Sequence, residues 1–215
     1  MSVNYLLRIV SKLNVARGCL LFALAVCAAA LAGCGAARPI KYYQITYPTA
    51  DAVAPDAVDV TLVVRPFESS HLYLDDKIVY GFEGPEMGTY ENQRWAEPPV
   101  EIVENALVRG LRASGRFKGV YTPRFGANGR FTLAGHLYEF KELDAKSIMA
   151  RLNYEVRLRD RKTGTTLWNH IYSHDEPASE KSVSAFVVAM NKNLERSVQE
   201  VQSGLEDYFR SHPQN

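Results

Sequence analysis

Several side chains in this sequence have the chemistry of catalytic or metal-binding groups, so their spacing is the first question. His170 and His174 have the residue type of a zinc-binding pair. They lie in a segment with the pattern of a strand and turn, where four residues extend about 13 Å, which is too far for one ion. Asp75 and Asp76 would point to opposite sides of an extended chain and are expected to be solvated. The sequence therefore predicts neither a metal site nor a carboxylate pair.

Nucleophilic and cofactor chemistry are not predicted either. Ser114 stands between Ala113 and Gly115 at the expected end of a helix, where a serine is more typical of capping than of catalysis. The sequence contains no G-x-S-x-G motif, no phosphate-binding glycine loop and no H-E-x-x-H motif. We therefore expect no catalytic residue, no cofactor and no enzymatic activity.

The remaining reactive group is the thiol of Cys34, at the end of an amino-terminal leader. Three basic residues are followed by an apolar run over 18–32 and then by the tetrapeptide Leu31–Cys34. The run has about 15 residues, whereas a membrane-spanning helix needs roughly 20. A basic start, a short apolar run and small residues before a cleavage site are typical of a secretory signal peptide. We predict that residues 1–33 form this signal peptide.

The tetrapeptide Leu31–Cys34 resembles the lipobox of bacterial lipoproteins. In that family the cysteine thiol carries a diacylglyceryl group, cleavage occurs directly before it, and the new amino terminus is acylated. The resemblance implies that Cys34 is lipidated; an ordinary signal peptide or an anchor helix is the alternative. Lipoproteins with aspartate after the cysteine usually stay in the inner membrane. Because this chain has Gly35, the resemblance implies a lipid anchor in the outer membrane, with the protein on the periplasmic face.

The mature chain would keep 182 of the 215 residues, enough for one compact domain. Its formal net charge falls by three, from +1 to −2, which does not suit nucleic-acid binding. Cys19 and Cys27 lie in the leader, so the mature domain has no cysteine for a disulfide or for catalysis. Residues 34–39 form a tether of under about 20 Å. We therefore expect the domain, residues 40–212, close to the bilayer.

Hydrophobic periodicity predicts an α+β domain. Apolar and polar residues alternate most clearly over 147–160, which indicates a strand with one buried face. Further predicted strands cover 40–47, 58–67, a hairpin within 71–95, 117–122, 131–141, with a bulge at Gly135, and 165–172. Helical spacing follows Pro98 and Pro99, and again follows Pro177. This order predicts a largely antiparallel sheet with two helices packed on one face.

The long final helix and the aromatic hairpin of this predicted fold each have two interpretations. The final helix, with about 30 residues, would span about 45 Å. It either docks on its own sheet throughout or reaches a neighbouring subunit of a homo-oligomer. The hairpin carries five aromatic residues, which form either a core under the first helix or a partly exposed surface for a partner or lipid. They are Tyr73, Tyr80, Phe82, Tyr90 and Trp95. We expect Trp95 to be buried, and Tyr80, Tyr90 and Arg94 to form a partner-binding surface.

Segments 76–80 (DKIVY) and 90–98 (YENQRWAEP) resemble the signature of the ABC-type transport auxiliary lipoproteins. The similarity continues through 162–164 and into the final helix, so it covers nearly all of the mature chain. It implies a non-enzymatic role in moving phospholipids or other hydrophobic molecules between two membranes. The implied partners are an MCE-type periplasmic protein and its ABC transporter. Pro99 departs from the family pattern, where a leucine is more common, and this affects only the predicted helix start.

A lipoprotein regulator of peptidoglycan synthesis is the alternative from a different functional class. Such proteins are also small α+β domains tethered to the outer membrane, but an activator that crosses the peptidoglycan needs a long disordered linker. The tether over 34–39 is too short for that role. The sequence therefore favours the transport role.

Overall fold

The computed structural model describes residues 38–47, 53–82, 84–123 and 129–213. The chain separates into two compact units, residues 1–39 and 40–215. Within the described ranges no helix has the length and apolar character needed to cross a membrane. The predicted signal peptide and Cys34 lie outside the described residues, so the fold below is that of the second unit.

The second unit contains nine strands and two α-helices within its described residues. The strands are β1 (Lys41–Tyr43), β2 (Val58–Val64), β3 (Glu68–Ser69), β4 (Lys77–Gly81), β5 (Met87–Trp95), β6 (Phe117–Tyr121), β7 (Phe131–Asp144), β8 (Ile148–Asp160) and β9 (Thr166–Pro177). The helices are α1 (Pro99–Ala113) and α2 (Val183–Ser211), and a 3₁₀ turn covers His71–Tyr73. The α+β class and the order of elements agree with the prediction.

Strand β7 is the centre of the sheet. One of its edges pairs antiparallel with β8 along its length, and β8 pairs antiparallel with β9. Along the other edge, β2, β3 and β4 lie end to end beside successive segments of β7. Strand β6 extends the sheet beyond β2, while β5 and β1 extend it beyond β4. One long strand therefore joins two halves of the sheet.

The prediction of a largely antiparallel sheet is wrong, because five of the eight strand pairings in the described part of the chain are parallel. Strands β2, β3 and β4 follow one another in the chain and run in one direction along β7, so all three pair with it in parallel. The period-2 pattern marks the buried face of a strand but carries no information about the direction of its neighbour.

Both helices pack on the same face of the sheet and against each other. The ring of Trp95 lies 5.3 Å from that of Phe140 on β7 and 5.8 Å from that of Phe186 on α2. At the far end of α2, Phe209 is only 3% exposed, and its ring lies 5.0 Å from that of Phe131. Helix α2 thus docks on its own sheet throughout, which supports the first interpretation of its length. Self-association of the chain stays a prediction.

The bulge predicted at Gly135 lies three residues further along β7, at Tyr138. The register of β7 against β8 shifts between Leu137 and Glu139 instead. Gly135 has a packing role, because a Cβ added there would overlap the ring of Phe67. Phe67 is buried and packs towards Tyr154, with ring centroids 6.3 Å apart. The glycine therefore allows an aromatic side chain to cross the centre of the sheet.

Candidate functional site

The five aromatic residues of the hairpin region fall into two groups. Tyr73 and Trp95 belong to the core, and Trp95 has no exposed surface. Tyr80, Phe82 and Tyr90 form a cluster that reaches the surface, which we call the hairpin face. The Tyr80 ring lies 5.0 Å from that of Tyr90 and 6.1 Å from that of Phe82. Phe82 is 49% exposed. The core interpretation is therefore confirmed for Tyr73 and Trp95, while the role of the partly exposed Tyr80, Phe82 and Tyr90 as a surface for a partner or lipid stays a prediction.

Strand register explains how these rings meet. Tyr80 on β4 lies beside Gly88 on β5 and beside Glu142 on β7. A Cβ added to Gly88 would come within 2.5 Å of the Tyr80 ring, so the ring lies flat across the neighbouring strand only because that residue is glycine. Tyr80 is thus fixed by the sheet, which lowers the entropy cost of using it in an interface.

A buried carboxylate supports the hairpin face from below. Glu142 is 1% exposed and accepts a hydrogen bond of 2.7 Å from the hydroxyl of Tyr90. Its Oε2 atom has no hydrogen-bond partner among the described residues. Burial raises the pKa of Glu142, with a smaller increase from Asp144, while the Tyr90 hydrogen bond lowers it. Burial and the neighbouring Glu142 raise the pKa of Tyr90 above its usual range.

Arg94 holds the backbone behind this cluster. Its Nη1 atom donates to the carbonyl oxygen of Tyr90 at 2.6 Å and to that of Gln93 at 3.2 Å. Its Nε atom lies 3.4 Å from a carboxylate oxygen of Asp76, and the side chain is 17% exposed. Within the chain, Arg94 therefore positions Tyr90 and already has a counter-charge.

The two histidines considered as metal ligands, His170 and His174, instead contact neighbouring rings and carboxylates. The His170 ring stacks on Trp168 at 5.9 Å, and its Nε2 atom lies 3.4 Å from a Glu200 oxygen. His174 Nε2 lies 3.4 Å from Glu176. No group of three or more metal-ligating residues occurs in the part of the chain that the structure describes.

Ser114 and the aspartate pair also have local partners. The Ser114 hydroxyl donates to the carbonyl of Leu111 at 2.8 Å and accepts from the amide of Arg116 at 3.2 Å. Its assignment as a capping residue is confirmed. Asp75 pairs with Lys77 at 3.2 Å, and that hydrogen bond holds the pKa of Asp75 below its usual range. Asp76 pairs with Arg94, and burial is the main reason that its pKa is raised.

Glu142 is the residue of this site that the sequence-based prediction missed. A signal was present, because Glu142 follows Phe140 at period 2 and so occupies a position of the buried face of a strand. A carboxylate at such a position needs a polar partner. The partner, Tyr90, lies 52 positions away in the sequence, and only the register joins them.

Comparison with known proteins gives a family and a fold. Residues 43–202 match the family model described as ABC-type transport auxiliary lipoprotein component. No curated protein has significant sequence similarity to this chain. A crystal structure of a protein from Xanthomonas campestris has a TM-score of 0.71 at 18% identity and covers 81% of this chain and 100% of that chain. The structure of an uncharacterised protein has a TM-score of 0.63 at 14% identity, and the match covers 78% of this chain and 99% of that chain. At these identities the two structures show a common fold.

Proposed function

Because the chain belongs to the family of ABC-type transport auxiliary lipoprotein components, we propose that it is a non-enzymatic part of an intermembrane lipid transport system. Its partners in this proposal are an MCE-type periplasmic protein and the associated ABC transporter. The observation that supports an accessory role is the hairpin face, where exposed and half-buried aromatic side chains rest on a rigid, hydrogen-bonded base. Such a surface binds a partner without needing to perform chemistry.

The membrane attachment in this proposal is the lipidated Cys34. Cleavage after residue 33 would leave a tether over 34–39 and a domain over 40–212 at the periplasmic face of the outer membrane. Acyl chains contribute about 0.8 kcal/mol for each buried methylene, so a triacylated terminus would not leave the bilayer on its own. We expect the variant C34S to lose the anchor, and membrane fractionation with mass spectrometry of the amino-terminal peptide measures this. An unmodified Cys34 in membrane-extracted wild-type protein would contradict the assignment.

The hairpin face is the proposed contact surface for the MCE-type protein. Tyrosine, phenylalanine and arginine are enriched at the centres of protein interfaces. Tyr80 and Phe82 offer ring surface, and Tyr90 and Arg94 hold that surface in place. Since Arg94 is already paired with Asp76, its contribution would be to fix the geometry of the face and to donate further hydrogen bonds at its rim.

Co-purification from cells tests this surface. The variant Y80A/F82A removes the two rings, and the control Y121A/I171A removes an exposed tyrosine on β6 and an exposed isoleucine on β9. Hot-spot residues contribute about 2 kcal/mol or more each, so we expect the first variant to lose at least about tenfold of the co-purifying MCE-type protein. The control should retain it. Equal recovery with both variants, when both are folded and lipidated, would contradict the proposed surface.

A further inference from the structure

The face of the sheet opposite the helices carries a groove of about 990 Å³. Its polar walls come from β2 and the residues after it, and from the consecutive segments β7, β8 and the turn after β8. Four arginines line it: Arg65, Arg157, Arg159 and Arg161. Its other lining residues include small and apolar side chains such as Val63, Pro66 and Ala134. The lining therefore carries four arginines against three carboxylates, those of Glu68, Glu155 and Asp160, and the floor is mostly uncharged.

Strand register places the arginines on both sides of this floor. On β7, Thr132 lies beside Arg159 of β8, and Ala134 lies beside Arg157. On the opposite edge of β7, Arg65 follows directly after β2, and its amide donates to the carbonyl of Leu133. Neighbouring strands are about 4.8 Å apart, so the backbones that carry Arg65 and Arg157 lie roughly 10 Å apart across β7. Arg159 lies two positions further along β8 and is therefore diagonally across β7 from Arg65. The small side chain of Ala134 leaves the space between these arginines open.

Of the three carboxylates that line the groove, Glu155 and Asp160 are paired with arginines, while Glu68 lies 3.8 Å from Nδ1 of His136. Glu155 binds Arg157 through two hydrogen bonds of 2.7 and 2.6 Å. Asp160 accepts from Arg130 at 3.0 Å. Arg159 donates to the carbonyl oxygen of Gly164 at 2.8 Å. Among the described residues, no carboxylate lies within ion-pair distance of Arg159 or Arg65.

Two guanidinium groups thus border the groove without a negative partner within the described ranges, while a third, that of Arg157, is oriented by Glu155. Guanidinium groups bind phosphate oxygens through paired, charge-assisted hydrogen bonds, and two of them on opposite sides of a small floor suit a single phosphate. A carboxylate ligand would use one guanidinium fork, whereas a phosphodiester has oxygens that can be shared between two.

We propose that this groove binds the phosphodiester head group of an anionic phospholipid. Arg65 and Arg159 contact the phosphate from opposite sides, and the glycerol end of the lipid lies on the floor around Val63 and Ala134. A volume of about 990 Å³ is within the range of ligand sites in proteins. The choice of a lipid, and not of free phosphate, rests on the proposed transport function.

Direct binding measurements test the proposal on the full-length lipidated chain in a neutral detergent. The probes are short-chain phosphatidylglycerol, the matching diacylglycerol without phosphate, and inorganic phosphate. We expect phosphatidylglycerol to bind at least about tenfold more tightly than either of the others, because only it uses both the arginines and the floor. Equal binding of inorganic phosphate would overturn the lipid assignment. Equal binding of diacylglycerol would overturn the role of the arginines.

Variants locate the site. R65Q/R159Q should weaken phosphatidylglycerol binding at least about tenfold, since it removes the charge-assisted hydrogen bonds of both guanidinium groups to the phosphate. The control K146Q/K192Q removes the same amount of charge from exposed positions outside the groove. A134E, which places a carboxylate on the floor and leaves all arginines in place, should abolish binding as well.

Unchanged affinity in R65Q/R159Q or in A134E would refute the site. Equal losses in K146Q/K192Q and R65Q/R159Q would also refute it, because the effect would then be one of total charge. All these variants should still co-purify with the MCE-type protein through the hairpin face. Loss of lipid binding with intact co-purification therefore separates this proposal from that of the partner surface.

Discussion

Replacing Trp95 tests the packing that holds the hairpin to the rest of the domain. The residue has no exposed surface and joins three elements, because its ring contacts Phe140 of β7 and Phe186 of α2 from the end of β5. Trp→Ala substitutions in a core cost about 3–5 kcal/mol. Each aromatic pair contributes about 0.5–1.5 kcal/mol beyond its buried area, and W95A loses two such pairs. We therefore expect W95A near the upper end of that range.

The assay is urea unfolding of the full-length chain followed by far-ultraviolet circular dichroism. With a slope of about 1–3 kcal/mol per molar, the expected loss lowers the midpoint by roughly 2 M. W95F is the matched control. It keeps a ring in the site and removes an Nε1 donor that has no partner among the described residues, a defect of about 1–3 kcal/mol. W95F should therefore cost much less than W95A. A W95A midpoint equal to that of wild type would refute the role of Trp95.

Two further substitutions test the sheet. G135A should cost about 1–3 kcal/mol in the same assay, because its Cβ would overlap the ring of Phe67. F67A should therefore be less damaging in the G135A background than in wild type, and additive effects of the two substitutions would contradict this packing. Because burial raises the folded-state pKa of Glu142, wild-type stability should be favoured at acid pH and decline as pH rises through that pKa. E142Q should lack this decline between about pH 4 and pH 8, and an identical decline in E142Q would refute it.

Most helices and strands could be predicted from the sequence, but the pairing of the strands could not. The alternation over 147–160 predicts β8 within one residue, and the stripe after Pro177 predicts α2. Burial of Trp95 is confirmed as well. These features are local, since they depend on the side-chain period of a single segment. Such local patterns predict structure correctly because each segment must bury one face, whichever strands or helices pack beside it.

The missed features are non-local. The parallel pairing of β2, β3 and β4 with β7 depends on how the chain returns to the sheet, which no single segment encodes. The same limit applies to both candidate sites. Tyr90 reaches Glu142 only through the register of β4, β5 and β7, and Arg65 faces Arg157 only across β7. In each case the residue that gives a side chain its role lies on a strand that is distant in the sequence.

Photo-crosslinking in cells tests the central proposal, that the hairpin face contacts an MCE-type transport protein, most directly. A benzoylphenylalanine replaces Phe82, which is 49% exposed on the hairpin face, or Ile171, which is exposed on β9, in the full-length chain. We expect position 82 to give a crosslinked product identified by mass spectrometry as the MCE-type protein, and position 171 to give none. A crosslinked product of equal yield from position 171 would contradict the proposal. The absence of any crosslink to a transport component from position 82 would contradict it as well.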